Sequence, residues 1–126
     1  MPVVGMGGYF FRSKDPQTLK SWYREHLGVG GGCGTDEDGR TNEYCWYPQS
    51  GPMVFEPFQE STDYFPSDRT AMINLRVRDL DGLLAGLRSG GVEISQEQAM
   101  DGVGRFARIH DPEGNPIELW EPEAKA

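Results

Sequence analysis

The stretch "DPEGNPIELWEP", residues 111–122, decides the fold of this chain. Two prolines restrict the backbone around a turn, and Gly114 or Asn115 is able to take the positive φ that a tight reversal needs. The alternating run that follows predicts a strand with a carboxylate, Glu118, between two apolar residues. Because the turn sets the register of that strand, it also sets the direction of Glu118, which faces either solvent or a cleft.

The residues before this turn predict the other elements of the second half. Residues 70–77, "TAMINLRV", have the composition of a strand, and residues 92–95, "VEIS", predict a shorter one. Residues 102–110 predict the first strand of a hairpin that the quoted stretch completes. Between the first two strands, residues 78–91 predict a helix with Asp79 as its N-cap, because leucines recur at helical spacing: Leu80, Leu83, Leu84 and Leu87.

The first half follows the same order. Residues 3–12 predict a glycine-containing strand, and residues 15–28 predict a helix. Residues 29–48 read as two strands joined by a turn, and residues 51–58 as a further strand. The capping and turn positions are Asp15 (N-cap), Pro16 (first helical position), Gly28 (helix stop) and Asp38–Gly39 (hairpin turn). The predicted inner face of this helix consists of Leu19, Trp22, Tyr23 and Leu27.

The two halves also resemble one another residue by residue. Residues 10–19 lie over residues 74–83 at a constant offset of 64. Internal similarity of this kind indicates two copies of one strand-helix-strand-strand-strand unit. Units of this size are marginally stable alone, so two of them should pack together. We therefore expect a single domain over all 126 residues, with modules 1–60 and 70–126 joined by loop 61–69.

Composition limits the partners of the protein. The chain has 20 acidic and 12 basic residues, a net charge of -8, which argues against nucleic acid because that affinity depends on neutralising phosphates. Residues 1–12 lack the basic start and long apolar run of a signal peptide, and no apolar stretch is long enough to cross a bilayer, so we expect a cytoplasmic protein without a membrane partner. Cys33 and Cys45 do not have metal-ligand spacing and predict free thiols, unless they face one another as a redox pair.

Three stretches resemble the vicinal oxygen chelate superfamily, which includes glyoxalase I, bleomycin-resistance proteins and extradiol dioxygenases. They are the two strand-helix junctions at residues 12–28 and 76–94, and the closing hairpin "RIHDPEGNPIELWEP" at residues 108–122, which is the most specific of them. The resemblance implies an α+β fold in which two βαβββ modules form curled mixed sheets around a cleft. It also implies, usually, a homodimer.

The resemblance further implies metal-ligand positions on the cleft strands. Three of them map to Gly8, Met72 and Glu118, and Glu56 lies near the fourth. Glycine has no ligand atom, and a thioether is a poor ligand for hard divalent ions. The metal candidates are therefore Glu118, which is also the catalytic candidate, and Glu56, whose orientation depends on a one-residue register. No tightly bound cofactor is expected, and a divalent metal ion is the alternative.

The same mapping gives the candidate ligand-binding residues. Phe10 and Arg12 share the cleft face of the first strand, and Asn74 and Arg76 share that of its counterpart. Two converging guanidinium groups would clamp a carboxylate or phosphate; alternatively each arginine pairs with a carboxylate at the rim. His110, next to the turn, is either structural or an imidazole that shuttles protons beside the cleft.

Aromatic residues are candidates to line the pocket. Most of them are expected in the core, as ordinary burial of aromatic side chains predicts. The loop "STDYFPSD", residues 61–68, joins the modules and would close over the cleft with Tyr64 and Phe65. The full set of aromatic candidates is Phe10, Trp46, Tyr64, Phe65, Phe106 and Trp120.

Three functions are consistent with these residues. The first is a protein that binds a small organic molecule in the cleft between the modules, with or without turnover. The second is a metal-dependent lyase of the lactoylglutathione lyase type, or a dioxygenase, that uses Glu118. The third is a resistance protein that sequesters a drug without chemistry. The acidic balance suits a cationic drug, whereas Arg12 and Arg76 in the cleft do not.

Overall fold

The computed structural model describes residues 2–124. It contains two helices and four strands. In chain order these are α1 (Pro16–Leu27), β1 (Ile73–Arg76), α2 (Leu80–Ser89), β2 (Gln96–Met100), β3 (Gly104–His110) and β4 (Pro116–Pro122). Within the described residues no helix is both long and apolar enough to cross a membrane.

The four strands form one mixed sheet in the order β1-β4-β3-β2. β1 runs parallel to β4, and the remaining neighbours are antiparallel. The second half is therefore a complete strand-helix-strand-strand-strand unit, as predicted, and the α+β class is confirmed. Glu118 lies in the second strand of the sheet, between Asn74 on one neighbour and Arg108 on the other.

Both helices begin and end where the sequence predicts. The side chain of Asp15 accepts a hydrogen bond from the Thr18 amide, and Asp79 accepts one from the Gly82 amide. Gly28 ends α1 in the left-handed conformation, with φ of 65°. Local sequence therefore sets the limits of these helices independently of the packing around them.

The core lies between α2, α1 and the apolar face of the sheet. Burying these side chains supplies most of the driving force for folding. The leucines of α2 and alternate residues of β3 and β4 fill its centre, and α1 adds the predicted pair Leu19 and Tyr23. The buried hydrophobic residues are Leu19, Tyr23, Leu75, Leu80, Leu84, Leu87, Ala107, Ile109, Ile117 and Leu119.

Asp111 organises the turn that the sequence singled out. One of its carboxylate oxygens accepts hydrogen bonds from the amides of Glu113 and Asn115, at 2.9 and 3.0 Å. Gly114 has φ of 83°, which is the left-handed conformation that the turn requires. The other oxygen of Asp111 accepts a hydrogen bond from the phenol of Tyr23 at 2.7 Å, so the turn also docks α1.

The predicted strands of the first half are not formed in the described residues. Residues 3–12, 29–48 and 51–58 contain no regular ladder, and a single isolated bridge joins Cys33 to Trp46. Both cysteines are free thiols. A strand is stable only when a partner takes up its backbone hydrogen bonds, and residues 2–124 provide none for these segments. Their apolar side chains are accordingly exposed, with Phe10 at 93%.

The strand predicted at residues 92–95 lies further along the chain, at β2. Val92 and Ile94 instead pack against the core as the connection from α2. The strand begins only where the chain comes beside β3, and the amide of Ser95 already bonds to the Arg108 carbonyl at 2.9 Å. The polar sequence of β2 gave no local signal, because its pairing with β3 is what makes it a strand.

Candidate functional site

One face of the sheet is apolar and covered by the helices, and the other carries polar and aromatic side chains. This second face is called the polar face below. Because side chains alternate along a strand, the register assigns each residue to one face. The polar face consists of Asn74 and Arg76 (β1), Glu118 and Trp120 (β4), Phe106, Arg108 and His110 (β3), and Gln96 and Gln98 (β2).

Glu118 is held at the centre of the polar face. It is 8% exposed, so its carboxylate is not a solvent-facing charge. The amide of Asn74 donates a 2.8 Å hydrogen bond to Oε1. The hydroxyl of Tyr64 donates to Oε2. This resolves the orientation of Glu118, because both carboxylate oxygens are engaged on the polar face.

Arg108 supplies the charge that balances Glu118. It is 6% exposed, and its Nη2 lies 3.7 Å from Glu118 Oε2. Its Nη1 donates to the carbonyl of Tyr64 at 3.0 Å, and its guanidinium lies 5.1 Å from the centre of the Tyr64 ring. A buried carboxylate is costly without a cation or hydrogen-bond donors, and Arg108 supplies the cation beside Glu118. Its Nε is buried with no acceptor among the residues that the structure describes.

The loop between the predicted modules covers this pair. Tyr64 reaches Glu118 from the loop, and Arg69 at its end donates to the Glu113 carbonyl at 2.8 Å. Burial raises the pKa of the Tyr64 hydroxyl, and the adjacent Glu118 carboxylate raises it further, while Arg108 opposes them. The phenol is therefore a hydrogen-bond donor at neutral pH, and the loop lies over the polar face as the sequence suggested.

Two aromatic rings extend the site along the same strands. Phe106 and Trp120 are cross-strand partners on β3 and β4, and their rings stack with centres 6.0 Å apart and planes within 4°. The indole nitrogen of Trp120 donates to the Val103 carbonyl at 3.1 Å. The polar face therefore combines a charged, hydrogen-bonded centre with a flat apolar area beside it, which is the usual make-up of a small-molecule site.

The structure brings together some of the predicted site residues. Asn74 contacts Glu118 directly, and Arg76 and His110 lie on the polar face with it. Arg76 donates to the carbonyl of Gln49 at 3.0 Å, rather than to a carboxylate at the rim. Its position agrees with the predicted cleft face of β1.

Phe10, Arg12 and Glu56 belong to exposed segments of the first half that form neither a helix nor a strand. Among residues 2–124, no hydrogen bond or ion pair joins any of them to Glu118. Their roles in binding a ligand or a metal ion stay predictions.

Arg108 is the main site residue that was not predicted from the sequence. It alternates with Phe106 and His110 along one strand, and this pattern is visible in the sequence. What identifies it is its place opposite Glu118 in the β3–β4 register, which the tight turn at residues 111–116 sets. Gln96 and Gln98 were missed for a different reason, because β2 itself was not predicted.

The side chains around Glu118 do not fit the ligand set of a divalent metal ion. Arg108 already places a positive charge beside the carboxylate, and Asn74 and Tyr64 occupy its oxygens. Two of the other family positions hold Gly8 and Met72, which lack hard ligand atoms, and Glu56, near the last position, makes no contact with Glu118 in the described part of the chain. Across the described part of the chain, no group of three or more His, Cys, Asp or Glu side chains is placed to hold a metal.

Comparisons with known proteins agree with this architecture. The family model described as "Glyoxalase/Bleomycin resistance protein/Dioxygenase superfamily" matches residues 5–119. No curated protein matches the chain.

Solved structures show the same fold at low sequence identity. TnmS3, an antibiotic binding protein from Streptomyces sp. CB03234, is 23% identical with a TM-score of 0.64, over 98% of this chain and 99% of that one. A superfamily member from Sphaerobacter thermophilus DSM 20745 is 19% identical with a TM-score of 0.60, over 96% and 99%. Lactoylglutathione lyase from Agrobacterium tumefaciens is 15% identical with a TM-score of 0.58, over 96% of each chain.

Proposed function

Because the chain belongs to the glyoxalase/bleomycin resistance protein/dioxygenase superfamily, we propose that it binds a small organic molecule on its polar face without a metal ion. The observation that carries this proposal is the pairing of Glu118 with Arg108 under the Tyr64 loop. Buried charges of this kind are costly to keep, and they concentrate at functional sites. The stacked rings of Phe106 and Trp120 beside them would contact the apolar part of a ligand.

Binding is favoured over lyase or dioxygenase chemistry by the state of Glu118. In a metal-dependent reaction this carboxylate would have to ligate the ion, yet here Arg108 neutralises it and Asn74 and Tyr64 engage its oxygens. The antibiotic binding by TnmS3 supports a binding role for this fold, whereas the lyase from Agrobacterium tumefaciens shows that the fold also serves an enzyme.

The test is a titration of the protein with a panel of aromatic and polar small molecules. Binding is monitored in NMR spectra through the backbone amide signals of the polar-face residues. We expect ligands to shift the signals of Asn74, Arg108 and Glu118 first. Protein purified without chelator is expected to contain less than one equivalent of divalent metal by mass spectrometry, and added zinc or manganese should not change ligand affinity. Stoichiometric metal that ligates Glu118 would instead establish the metal-dependent alternative.

We also propose that the protein acts as a homodimer, as the resemblance implies. Residues 3–12 and 51–58 have exposed apolar side chains and no ladder partner in the described residues, and such segments promote association. A second copy of the chain is the proposed occupant, because each copy has the same unpaired segments to offer. In sedimentation equilibrium, Phe10→Asp and Phe55→Asp should shift a dimer to monomer. Tyr44→Asp, at an exposed residue outside both segments, should not.

A further inference from the structure

Tyr64 already places an aromatic ring with a hydroxyl group in the proposed site. Its hydroxyl donates to Glu118, and its ring lies beside the guanidinium of Arg108. Tyr64 does not belong to the sheet, since residues 59–69 contain neither a helix nor a strand. Two open concavities of the surface lie away from Tyr64; one of them, of about 510 Å³, is lined by Asp36 and Trp46 among others, and the other by residues of α1. The ring of Tyr64 thus occupies the position over Glu118 that a ligand would need.

We propose that the ligand of this site is a phenol, and that Tyr64 takes its place in the ligand-free chain. The inference rests on the proposed function and narrows it to a chemical class: an aromatic ring with at least one hydroxyl group. In the bound state the loop at residues 59–69 moves away, and the ligand hydroxyl replaces that of Tyr64 on Glu118 Oε2.

The hydrogen-bonding capacity of the site selects for a donor. Both oxygens of the Glu118 side chain accept hydrogen bonds in the structure, Oε1 from Asn74 and Oε2 from Tyr64, so a group that replaces Tyr64 must also be a donor. A carboxylate or phosphate ligand would bring a like charge to Oε2, and a hydrocarbon would leave that oxygen unpaired in a buried place. A hydroxyl satisfies it, and the adjacent guanidinium of Arg108 favours an aromatic ring to carry that hydroxyl.

Arg108 offers one more contact to such a ligand. Its Nε is a buried donor without an acceptor among residues 2–124, on a side chain that is 8% exposed. Buried donors are almost always paired in native structures. A ring that carries an acceptor oxygen besides its hydroxyl would complete the hydrogen bonding of Arg108 as well as that of Glu118.

The loop is attached by few contacts, which suits displacement. Tyr64 bonds to Glu118 and receives a bond from Arg108, and Arg69 bonds to the Glu113 carbonyl. No residue of the loop belongs to the buried hydrophobic core. Because a ligand binds only when the loop is open, its measured affinity is reduced by the fraction of molecules in that state.

The test uses p-cresol, which has the tyrosine side chain's ring and hydroxyl, and toluene, which lacks the hydroxyl. In Tyr64→Ala, p-cresol is expected to bind about tenfold or more tightly than toluene, as a hydrogen bond to a charged group typically contributes. It should also bind Tyr64→Ala more tightly than wild type, because no phenol competes. Phe65→Ala is the matched control, since it alters the same loop at a ring that contacts Phe58 and leaves Tyr64 in place.

Three results would overturn the phenol assignment. The first is equal affinity of Tyr64→Ala for p-cresol and toluene. The second is tighter binding of the anion 4-methylbenzoate than of p-cresol. The third is binding of p-cresol to wild type with the ring signals of Tyr64 unchanged in NMR spectra. If Tyr64→Ala fails to fold, Tyr64→Phe keeps the ring and loses the bond to Glu118, so p-cresol should bind it severalfold more tightly than wild type.

The same experiment separates the class of ligand from the proposed function. If toluene or 4-methylbenzoate shifts the signals of Asn74 and Arg108 as strongly as p-cresol does, the polar face binds small molecules but the phenol assignment is wrong. If no member of the wider panel shifts these signals in wild type or in either Tyr64 variant, both proposals are wrong.

Discussion

The phenol of Tyr23 donates a 2.7 Å hydrogen bond to the buried carboxylate of Asp111, which lies 88 residues further along the chain. This bond joins the first helix to the turn that sets the register of β4, and β4 carries Glu118. Burial and the neighbouring carboxylate of Asp111 both raise the pKa of Tyr23, so its hydroxyl keeps its proton and remains a hydrogen-bond donor at neutral pH. The two halves of the chain are thus joined next to the site-forming hairpin.

Tyr23→Phe should destabilise the protein by about 1–3 kcal/mol, because it leaves one oxygen of a buried carboxylate with a single donor while keeping the ring in place. Urea unfolding followed by circular dichroism measures this change. Tyr44→Phe is the control, since Tyr44 is exposed and its hydroxyl makes no hydrogen bond in the described residues. Equal stability of the two variants would contradict the role given to this bond.

Gly114→Ala should destabilise the protein by about 1–2 kcal/mol, because Gly114 is in the left-handed conformation, which is less stable by that amount for an L residue with a Cβ atom. The added Cβ would also lie 3.0 Å from Nη2 of Arg69, whose bond to the Glu113 carbonyl holds the loop. Gly86→Ala is the matched control. Gly86 lies inside α2 with open space around its Cβ position, so the same change should stabilise by about 0.5–1 kcal/mol. The two thermal unfolding midpoints should move in opposite directions.

Arg108→Met should destabilise the protein by about 3–5 kcal/mol, because it leaves Glu118 as a buried charge without its cation. The double variant with Glu118→Met should recover a large part of that loss, since no charge then remains buried. Arg105→Met, on the other face of β3, removes solvent-exposed ion pairs with Asp81 and Glu121 and should leave the stability nearly unchanged, because exposed ion pairs are screened by water. A single variant at Arg108 that is as mild as the one at Arg105 would refute the buried pair.

Tyr64 should make the free energy of unfolding depend on pH in the alkaline range. Its pKa in the folded protein is raised above the ordinary value of 10.0, first by burial and then by Glu118. A raised pKa means that the contribution of Tyr64 is fully present below pH 10.0 and is lost as the pH rises through the folded-state value. Other groups also titrate there, so the measurement is the difference between wild type and Tyr64→Phe. Urea midpoints from pH 9 upward should converge for the two proteins, and parallel curves would contradict the prediction.

The sequence by itself determined the elements whose causes are local. N-capping by Asp15 and Asp79, the glycine that ends α1 and the Asp111–Asn115 turn all act within a few residues, so each could be predicted from its neighbours. The same turn sets the register of β4, so Glu118 alternates with Ile117 and Leu119. Whether Glu118 faces solvent or a covered site was left open by the sequence and was decided by the contacts of its carboxylate.

The tertiary structure alone decided which groups meet at the site. Arg108 meets Glu118 through the β3–β4 register, and Tyr64 meets it through a loop contact across 54 residues of sequence. The sequence showed the alternation along β3 and placed Tyr64 in the loop, but it did not show that both side chains converge on Glu118. It also decided which predicted strands form. β2 exists because β3 pairs with it, whereas residues 3–12 and 51–58 have strand-like sequences but no partner in the described chain. The physical reason is the same in each case: a strand or a buried charge is stable only with a partner, and its own sequence does not say where that partner lies.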